Sequence, residues 1–172
     1  MVPLFLAEPA RILVASALTA VLAVAAISDV RDRRIPNWSV LSVLGLFLLW
    51  TVAGGGVGLV AALEAAGIAA AVTVTLYAFR IVGAGDSKLF TVVALFTGLT
   101  YLPLFALATV LAGGVIAAVS LVSRPTRALV MFQMRGKGDF GRGVPYGVAI
   151  ALGGALAVWW LLSGVPAPFV VV

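Results

Sequence analysis

The chain has 172 residues and contains neither cysteine nor histidine. Without histidine it cannot form a Ser-His-Asp triad, a Cys-His pair or a His-Glu-x-x-His zinc site. Without cysteine it has no disulfide, thiol redox pair, iron–sulfur cluster or cysteine-bound zinc. A hydrolytic enzyme built from the remaining side chains is therefore expected to use carboxylates, and the sequence implies no metal and no other cofactor.

Charged residues are also scarce. They make up 10% of the chain, whereas 63% of the residues are hydrophobic. A soluble domain averages about 25% charged and about 45–50% apolar residues. The apolar residues occur in blocks that approach the roughly 20 residues a helix needs to cross a bilayer. The composition therefore predicts an all-α polytopic membrane protein, forming one domain over residues 1–172 and surrounded by lipid.

Six apolar blocks predict six transmembrane helices. The run 89–122 would be about 51 Å long as a single helix, at 1.5 Å per residue. Because this length exceeds one bilayer, we divide the run at Pro103. The predicted spans are 12–28, 38–53, 59–79, 89–122 divided into two, and 144–162.

Basic residues are distributed unequally between the two sides of the predicted membrane. Ten of the eleven lie in the loops after the first, third and fifth spans, and the other side holds Arg11 alone. The positive-inside rule places those three loops in the cytoplasm and both termini in the periplasm. We therefore interpret the basic residues as topology signals and expect no nucleic-acid partner.

A cleaved signal peptide is the competing interpretation of residues 1–28. Signal peptides begin with a basic segment, but here the sole basic residue before the apolar stretch is Arg11. Cleavage near Ala25 would also leave the basic cluster 31–34 on the exported side. We therefore expect an uncleaved first span.

Asp29 ends the first predicted span and Asp86 begins the fourth, so the topology places both at the cytoplasmic face. Two neighbouring carboxylates do not both ionise readily, so one keeps a proton while the other is charged. The charged group can take a proton from water, and the neutral group can donate one to a carbonyl oxygen. Such a pair hydrolyses peptide bonds without histidine or metal. Position alone leaves open a second interpretation, in which both are interfacial charges at helix ends.

Three motifs accompany the two aspartates. The segment Asp29–Asn37 resembles the Asp…Ile-Pro-Asn segment after the first span of type IV prepilin peptidases. The segment Gly83–Lys88 resembles their Gly-x-Gly-Asp-x-Lys motif, and Val144–Gly147 is similar to their Pro-Phe/Tyr-Gly element. All three occur in the family's order, so nearly the whole chain resembles this family of membrane aspartic proteases.

The resemblance implies an activity, a location and a site. Prepilin peptidases are aspartic endopeptidases of the bacterial inner (plasma) membrane. They cleave a short basic leader from type IV prepilins or pseudopilins at the cytoplasmic face. By this resemblance the catalytic residues are Asp29 and Asp86, and the supporting motif residues are Pro36, Asn37, Gly83, Gly85, Lys88, Pro145, Tyr146 and Gly147.

The size of the chain indicates a subtype. Larger members of the family carry a cytoplasmic segment with zinc-binding cysteines and also methylate the new N-terminus. This chain lacks those cysteines. It resembles the short form associated with tight-adherence (Flp-type) pili, and the resemblance does not extend to methylation.

Two rival functions use the same region. A small proton- or ion-coupled transporter could employ Asp29 and Asp86 as carriers, although the spans have no acidic residue near their midpoints. A Ser-Lys peptidase could employ Ser87 and Lys88, but adjacent residues on a helix point in different directions.

Other polar residues near the motifs are given simpler roles. We interpret Asp32 as a solvated loop charge. Asn37 could hydrogen-bond near the site or cap the second span, and we expect it to cap. Lys88 either tunes the site or anchors a helix at the interface. The segment 127–143 could lie on the membrane surface or contact substrate, but we interpret it as a connector.

Overall fold

A computed structural model describes residues 4–123 and 145–168. Within these ranges the chain is all-helical and has no β-strand. The helices are α1 (Leu4–Asp32), α2 (Asn37–Val52), α3 (Leu59–Ala78), α4 (Ala84–Ser123) and α5 (Tyr146–Leu162). α1, α3 and α4 are long and apolar enough to cross a membrane, and α2 and α5 are shorter apolar helices. The predicted all-α fold is thus confirmed, while the segment interpreted as a connector lies outside the described residues.

α4 contains a sharp break at Gly98, which has φ 55° and ψ −175°. This region of backbone conformation is essentially restricted to glycine. Phe90 and Phe105 lie on opposite sides of the break, yet their rings stack with centroids 4.3 Å apart. In a straight helix these residues would be separated by about 22 Å. The chain therefore folds back on itself at Gly98.

This break corrects the sequence-based division of the apolar run. We predicted six separate helices with a boundary at Pro103, whereas the described residues form five helices and the fourth contains two segments, 84–97 and 99–123. Pro103 lies inside the second segment, close to its beginning. A reversal of this sharpness needs a backbone conformation that glycine adopts and proline, with φ fixed near −65°, does not.

α5 is packed against α1 and against both segments of α4. Its glycines allow close approach: Gly153 lies against Thr109 in the second segment, and a Cβ at Gly154 would lie 2.8 Å from Val93 in the first. Small residues at such positions are typical of helix contacts in membranes. α5 therefore packs between α1 and α4, the two helices that carry Asp29 and Asp86, and α2 also contacts both of them.

Candidate active site

Asp29 lies near the C-terminal end of α1 and is 7% exposed. Its Oδ2 accepts a hydrogen bond of 2.8 Å from the backbone N–H of Gly147, the second residue of α5. The first N–H groups of a helix have no partner within the helix. A carboxylate is a favourable acceptor there, since the N-terminal end of a helix carries partial positive charge. The hydrogen bond therefore joins α1 to the start of α5 through the aspartate itself.

Gly147 is required for this contact. A Cβ at this position would lie 2.8 Å from Oδ2 and 2.9 Å from Cβ of Asp29. Real Cβ atoms do not approach other atoms so closely, so a larger residue would displace the carboxylate. The glycine of the Pro-Tyr-Gly element thus allows the backbone of α5 to reach Asp29.

Asp86 lies in the first turn of α4 and is half-buried. Its carboxylate accepts a hydrogen bond from the backbone N–H of Gly83, the residue before the helix. This is the geometry of a capping box, in which the third residue of a helix reaches back to the preceding N–H. A Cβ at Gly83 would lie 2.9 Å from Oδ2 of Asp86. The glycine therefore leaves room for the carboxylate to fold over the helix start.

The two aspartates lie at the same end of the helix bundle, although they are 57 positions apart in the sequence. Their carboxylates are close enough to interact electrostatically. Arg33, in the loop after α1, interacts electrostatically with Asp29 as well. The arrangement is thus a pair of carboxylates with one cation nearby.

The α1–α2 loop completes this arrangement. Ile35 packs against Gly85, where a Cβ would lie 3.2 Å from the Ile35 Cβ atom. Pro36 follows as the N-cap residue of α2. The segments that carry the three sequence motifs therefore meet at one end of the bundle, through Asp29–Gly147, Asp29–Asp86 and Ile35–Gly85.

The prediction that Asn37 caps α2 is wrong. α2 begins at Asn37 itself, and the N-cap position is occupied by Pro36, with φ −69° and ψ 140° and no side-chain cap. Proline fixes φ near this value, so it suits the extended backbone of an N-cap. The hydroxyl of Ser39 donates instead to the Pro36 carbonyl, at 2.7 Å. Asn37 is exposed.

The remaining predicted residues lie around the pair. Pro145 is the N-cap residue of α5 and Tyr146 its first residue; both are half-buried, and Tyr146 packs against Gly113 of α4. Lys88 is exposed on α4. Asp32 is exposed at the end of α1, which agrees with its interpretation as a solvated charge.

Ser87 has a structural role that sequence reasoning missed. It is 6% exposed, and its hydroxyl lies 3.1 Å from the Gly83 carbonyl and 3.3 Å from the Thr73 carbonyl of α3. Lys88 is exposed on a different side of the helix. The geometry therefore gives no support to a Ser-Lys pair. Ser87 instead links the start of α4 to α3 through its hydrogen bond to Thr73.

Comparison with known proteins addresses the family directly. No match was found among curated proteins or among solved structures. A family model described as the type IV leader peptidase family matches residues 16–118. This range covers more than half of the chain and includes Asp29 and Asp86, while Gly147 lies beyond it. The resemblance inferred from the motifs is confirmed: the chain belongs to the type IV leader peptidase family.

Proposed function

We propose that this protein is an aspartic endopeptidase that removes the leader peptide from Flp-like prepilins or pseudopilins at the cytoplasmic face of the bacterial plasma membrane. Membership of the leader peptidase family supports this class of activity over a transporter. The observation that carries the assignment of Asp29 and Asp86 as the catalytic pair is their convergence at one end of the bundle. There, glycines 83 and 147 admit backbone N–H donors to the two carboxylates.

The proposed reaction is general acid–base hydrolysis. One carboxylate takes a proton from a water molecule, whose oxygen attacks the carbonyl carbon of the scissile peptide bond, while the other carboxyl group donates its proton to the carbonyl oxygen. When the C–N bond breaks, the proton taken from water passes to the leaving nitrogen. No metal or cofactor takes part in this scheme.

The surroundings of the two carboxylates favour different roles. Each carboxylate accepts one backbone N–H, from Gly147 for Asp29 and from Gly83 for Asp86, but Asp29 also interacts with the cation of Arg33, which stabilises a negative charge. We therefore assign the proton-accepting role to Asp29 and the proton-donating role to Asp86. The Gly147 hydrogen bond uses Oδ2 of Asp29, so Oδ1 is the oxygen assigned to the water molecule.

A cleavage assay tests the proposal. The protein is co-expressed with a candidate Flp-like prepilin in a host that lacks prepilin peptidases, and loss of the leader is followed by gel mobility and mass spectrometry. Asp29→Asn and Asp86→Asn should each lower cleavage by at least about 10³-fold, and the double variant should be no worse, because residues that act as one unit are not additive.

Asp32→Asn is the matched control for these variants. It removes one exposed carboxylate three residues from Asp29, on the same helix. We expect wild-type cleavage from this variant. Full activity in Asp29→Asn, or an inactive Asp32→Asn, would contradict the proposed pair.

We further propose that the two segments of α4 each cross the membrane, which gives six spans with both termini in the periplasm. Support comes from the fold-back at Gly98 and from the side of the membrane that the basic residues favour. A topology reporter fused after Val172 should then be active on the periplasmic side. If α4 crossed only once, the same fusion would be cytoplasmic.

A further inference from the structure

We propose that Ser28 is a positioning residue for the aspartate pair, because its hydroxyl holds the α1–α2 loop (residues 33–36) in the conformation that packs Ile35 against Gly85. The inference rests on the proposed function for its activity measurement. Its geometric part concerns the folded chain alone and is tested separately below.

Ser28 makes a different hydrogen bond from the other hydroxyl residues of α1. Ser16 and Thr19 donate to the carbonyl oxygens of Ile12 and Ala15, four residues back in the same helix, at 2.8 Å each. This is the ordinary behaviour of a hydroxyl side chain inside a helix. Ser28 donates forward to the carbonyl oxygen of Arg34 in the loop, at 3.0 Å. Its hydroxyl therefore fixes the loop that follows the helix.

A second hydrogen bond attaches the loop to the same helical turn of α1. The backbone N–H of Arg33 donates to the carbonyl oxygen of Asp29 at 3.0 Å, and Arg33 adopts φ 54°. This left-handed conformation is unfavourable for a residue with a Cβ atom, so neighbouring contacts must hold it. Ser28 and Asp29 are consecutive residues. Both attachments of the loop thus begin at the helical turn that carries the first carboxylate.

The far side of the loop reaches the second carboxylate. Ile35 lies against Gly85, with 3.2 Å between its Cβ and a Cβ built at that glycine, and Gly85 directly precedes Asp86. Ile35 also packs against the buried core. The sequence of contacts from Ser28 to Arg34, then Ile35 and Gly85, therefore links the end of α1 to the start of α4. The distance between the two carboxylates depends on this link.

Removal of the hydroxyl should affect catalysis more than substrate binding. In Ser28→Ala the Arg34 carbonyl loses its partner, and the loop can relax the strained backbone at Arg33. The aspartate pair would then be misplaced by a fraction of an ångström. We expect kcat to fall about tenfold with KM nearly unchanged, since small errors in the placement of reacting groups are costly. Ser28→Thr keeps a hydroxyl group on Cβ and should therefore retain most of the activity.

Ser16→Ala is the matched control. It removes a serine hydroxyl from the same helix, at an exposed position whose hydrogen bond stays within α1. Its kcat should equal that of the wild type. A Ser28→Ala enzyme with wild-type kcat, or a Ser28→Thr enzyme as impaired as Ser28→Ala, would overturn the inference.

A cross-linking measurement tests the geometry without any substrate. The chain contains no cysteine, so an Ile35→Cys/Gly85→Cys pair can be oxidised without background. The Cβ separation of 3.2 Å is slightly shorter than the range of about 3.5–4.5 Å found in disulfides, so a shift of a few tenths of an ångström allows the bond to form. The disulfide should form several-fold more slowly when Ser28→Ala is added, and at an unchanged rate when Ser16→Ala is added. Equal rates in the two backgrounds would overturn the inference.

The two measurements separate this inference from the proposed function. A wild-type protein that cleaves no prepilin, but whose cross-linking rate depends on Ser28, would refute the peptidase and support the positioning of the loop. A wild-type protein that cleaves prepilin, with a cross-linking rate independent of Ser28, would refute the positioning alone.

Discussion

At both ends of the helix bundle, the turns that follow helices contain residues in the left-handed backbone conformation, but the two ends use different residue types there. At the end opposite the aspartates, the turns that follow α2 and α5 contain Gly54 and Gly164, with φ 70° and 71°. At the aspartate end, the corresponding residues after α1 and α3 are Arg33 and Arg80, with φ 54° and 58°. All four adopt the left-handed conformation that commonly ends a helix, in which glycine has no steric cost.

The use of arginine costs free energy that glycine would not cost. A left-handed conformation is unfavourable by about 1–2 kcal/mol for a residue with a Cβ atom. In return each arginine places a cation at a helix C-terminus, where partial negative charge favours it, and on the side that the positive-inside rule assigns to the cytoplasm. Arg33 in addition interacts with Asp29. The aspartate end thus carries cations at positions where the opposite end has glycines without steric cost.

Other glycines also differ between the two ends in the side chains for which they make room. At the opposite end, Gly55 makes room for the indole ring of Trp50, which is fully buried and lies 5.8 Å from the ring of Phe96. At the aspartate end, Gly83 and Gly147 make room for carboxylates. One end is therefore held by aromatic packing, while the other is shaped around two acidic side chains.

The largest expected effect on stability comes from the opposite end. Trp50→Ala removes a fully buried indole that packs on Phe96, and such substitutions cost about 3–5 kcal/mol. The detergent-solubilised protein should unfold at a clearly lower temperature, with kcat unchanged below that temperature. Trp38→Ala is the control, because Trp38 is 51% exposed on the same helix. A large fall in kcat at a temperature where Trp50→Ala is folded would break the comparison between the two ends.

Apart from substitution of the two proposed catalytic aspartates, the largest effect on catalysis should come from Gly147→Ala. The new Cβ would lie within 2.8 Å of the Asp29 carboxylate and would displace it, so we expect kcat for leader cleavage to fall about 10²-fold. Gly114→Ala is the control, since Gly114 lies in α4 and nothing is within 4 Å of the position of its Cβ. Equal activity in the two variants would show that the Asp29–Gly147 contact has no part in the reaction.

Most of the fold could be predicted from the sequence, and so could the helix ends at which the two aspartates lie. Both depend on composition and on the order of the apolar blocks. The residues that end those blocks placed Asp29 and Asp86 at one face. The chain reversal could not be located in the same way. Pro103 and Gly98 both interrupt an apolar run, and the choice between them depends on the packing of Phe90 against Phe105.

The contacts that assemble the site are also harder to predict, because they too depend on packing between residues that are distant in the sequence. The hydrogen bond from Gly147 to Asp29 joins residues 118 positions apart, and no local pattern encodes such a contact. Ser28 and Ser16 are both serines in an apolar helix, and only the folded structure reveals that one donates to a loop and the other to its own helix. Asn37 was given a capping role because of its residue type, whereas the backbone of Pro36 determined where α2 begins.

The smallest expected effects test the two arginines that replace glycine. Arg80→Gly should raise the free energy of unfolding by about 1 kcal/mol, since it removes an unfavourable left-handed side chain from the turn after α3. Arg33→Gly should stabilise the fold by a similar amount but lower kcat several-fold, because it also removes the cation that interacts with Asp29.

Gly54→Ala, at the opposite end, should lower the free energy of unfolding by about 1 kcal/mol with no change in kcat. Thermal unfolding in detergent and leader cleavage, measured on the same preparations, provide both quantities. If Arg33→Gly and Arg80→Gly behaved alike in both measurements, the positive charge at position 33 would have no influence on the site, and the contrast between the two ends would reduce to membrane topology.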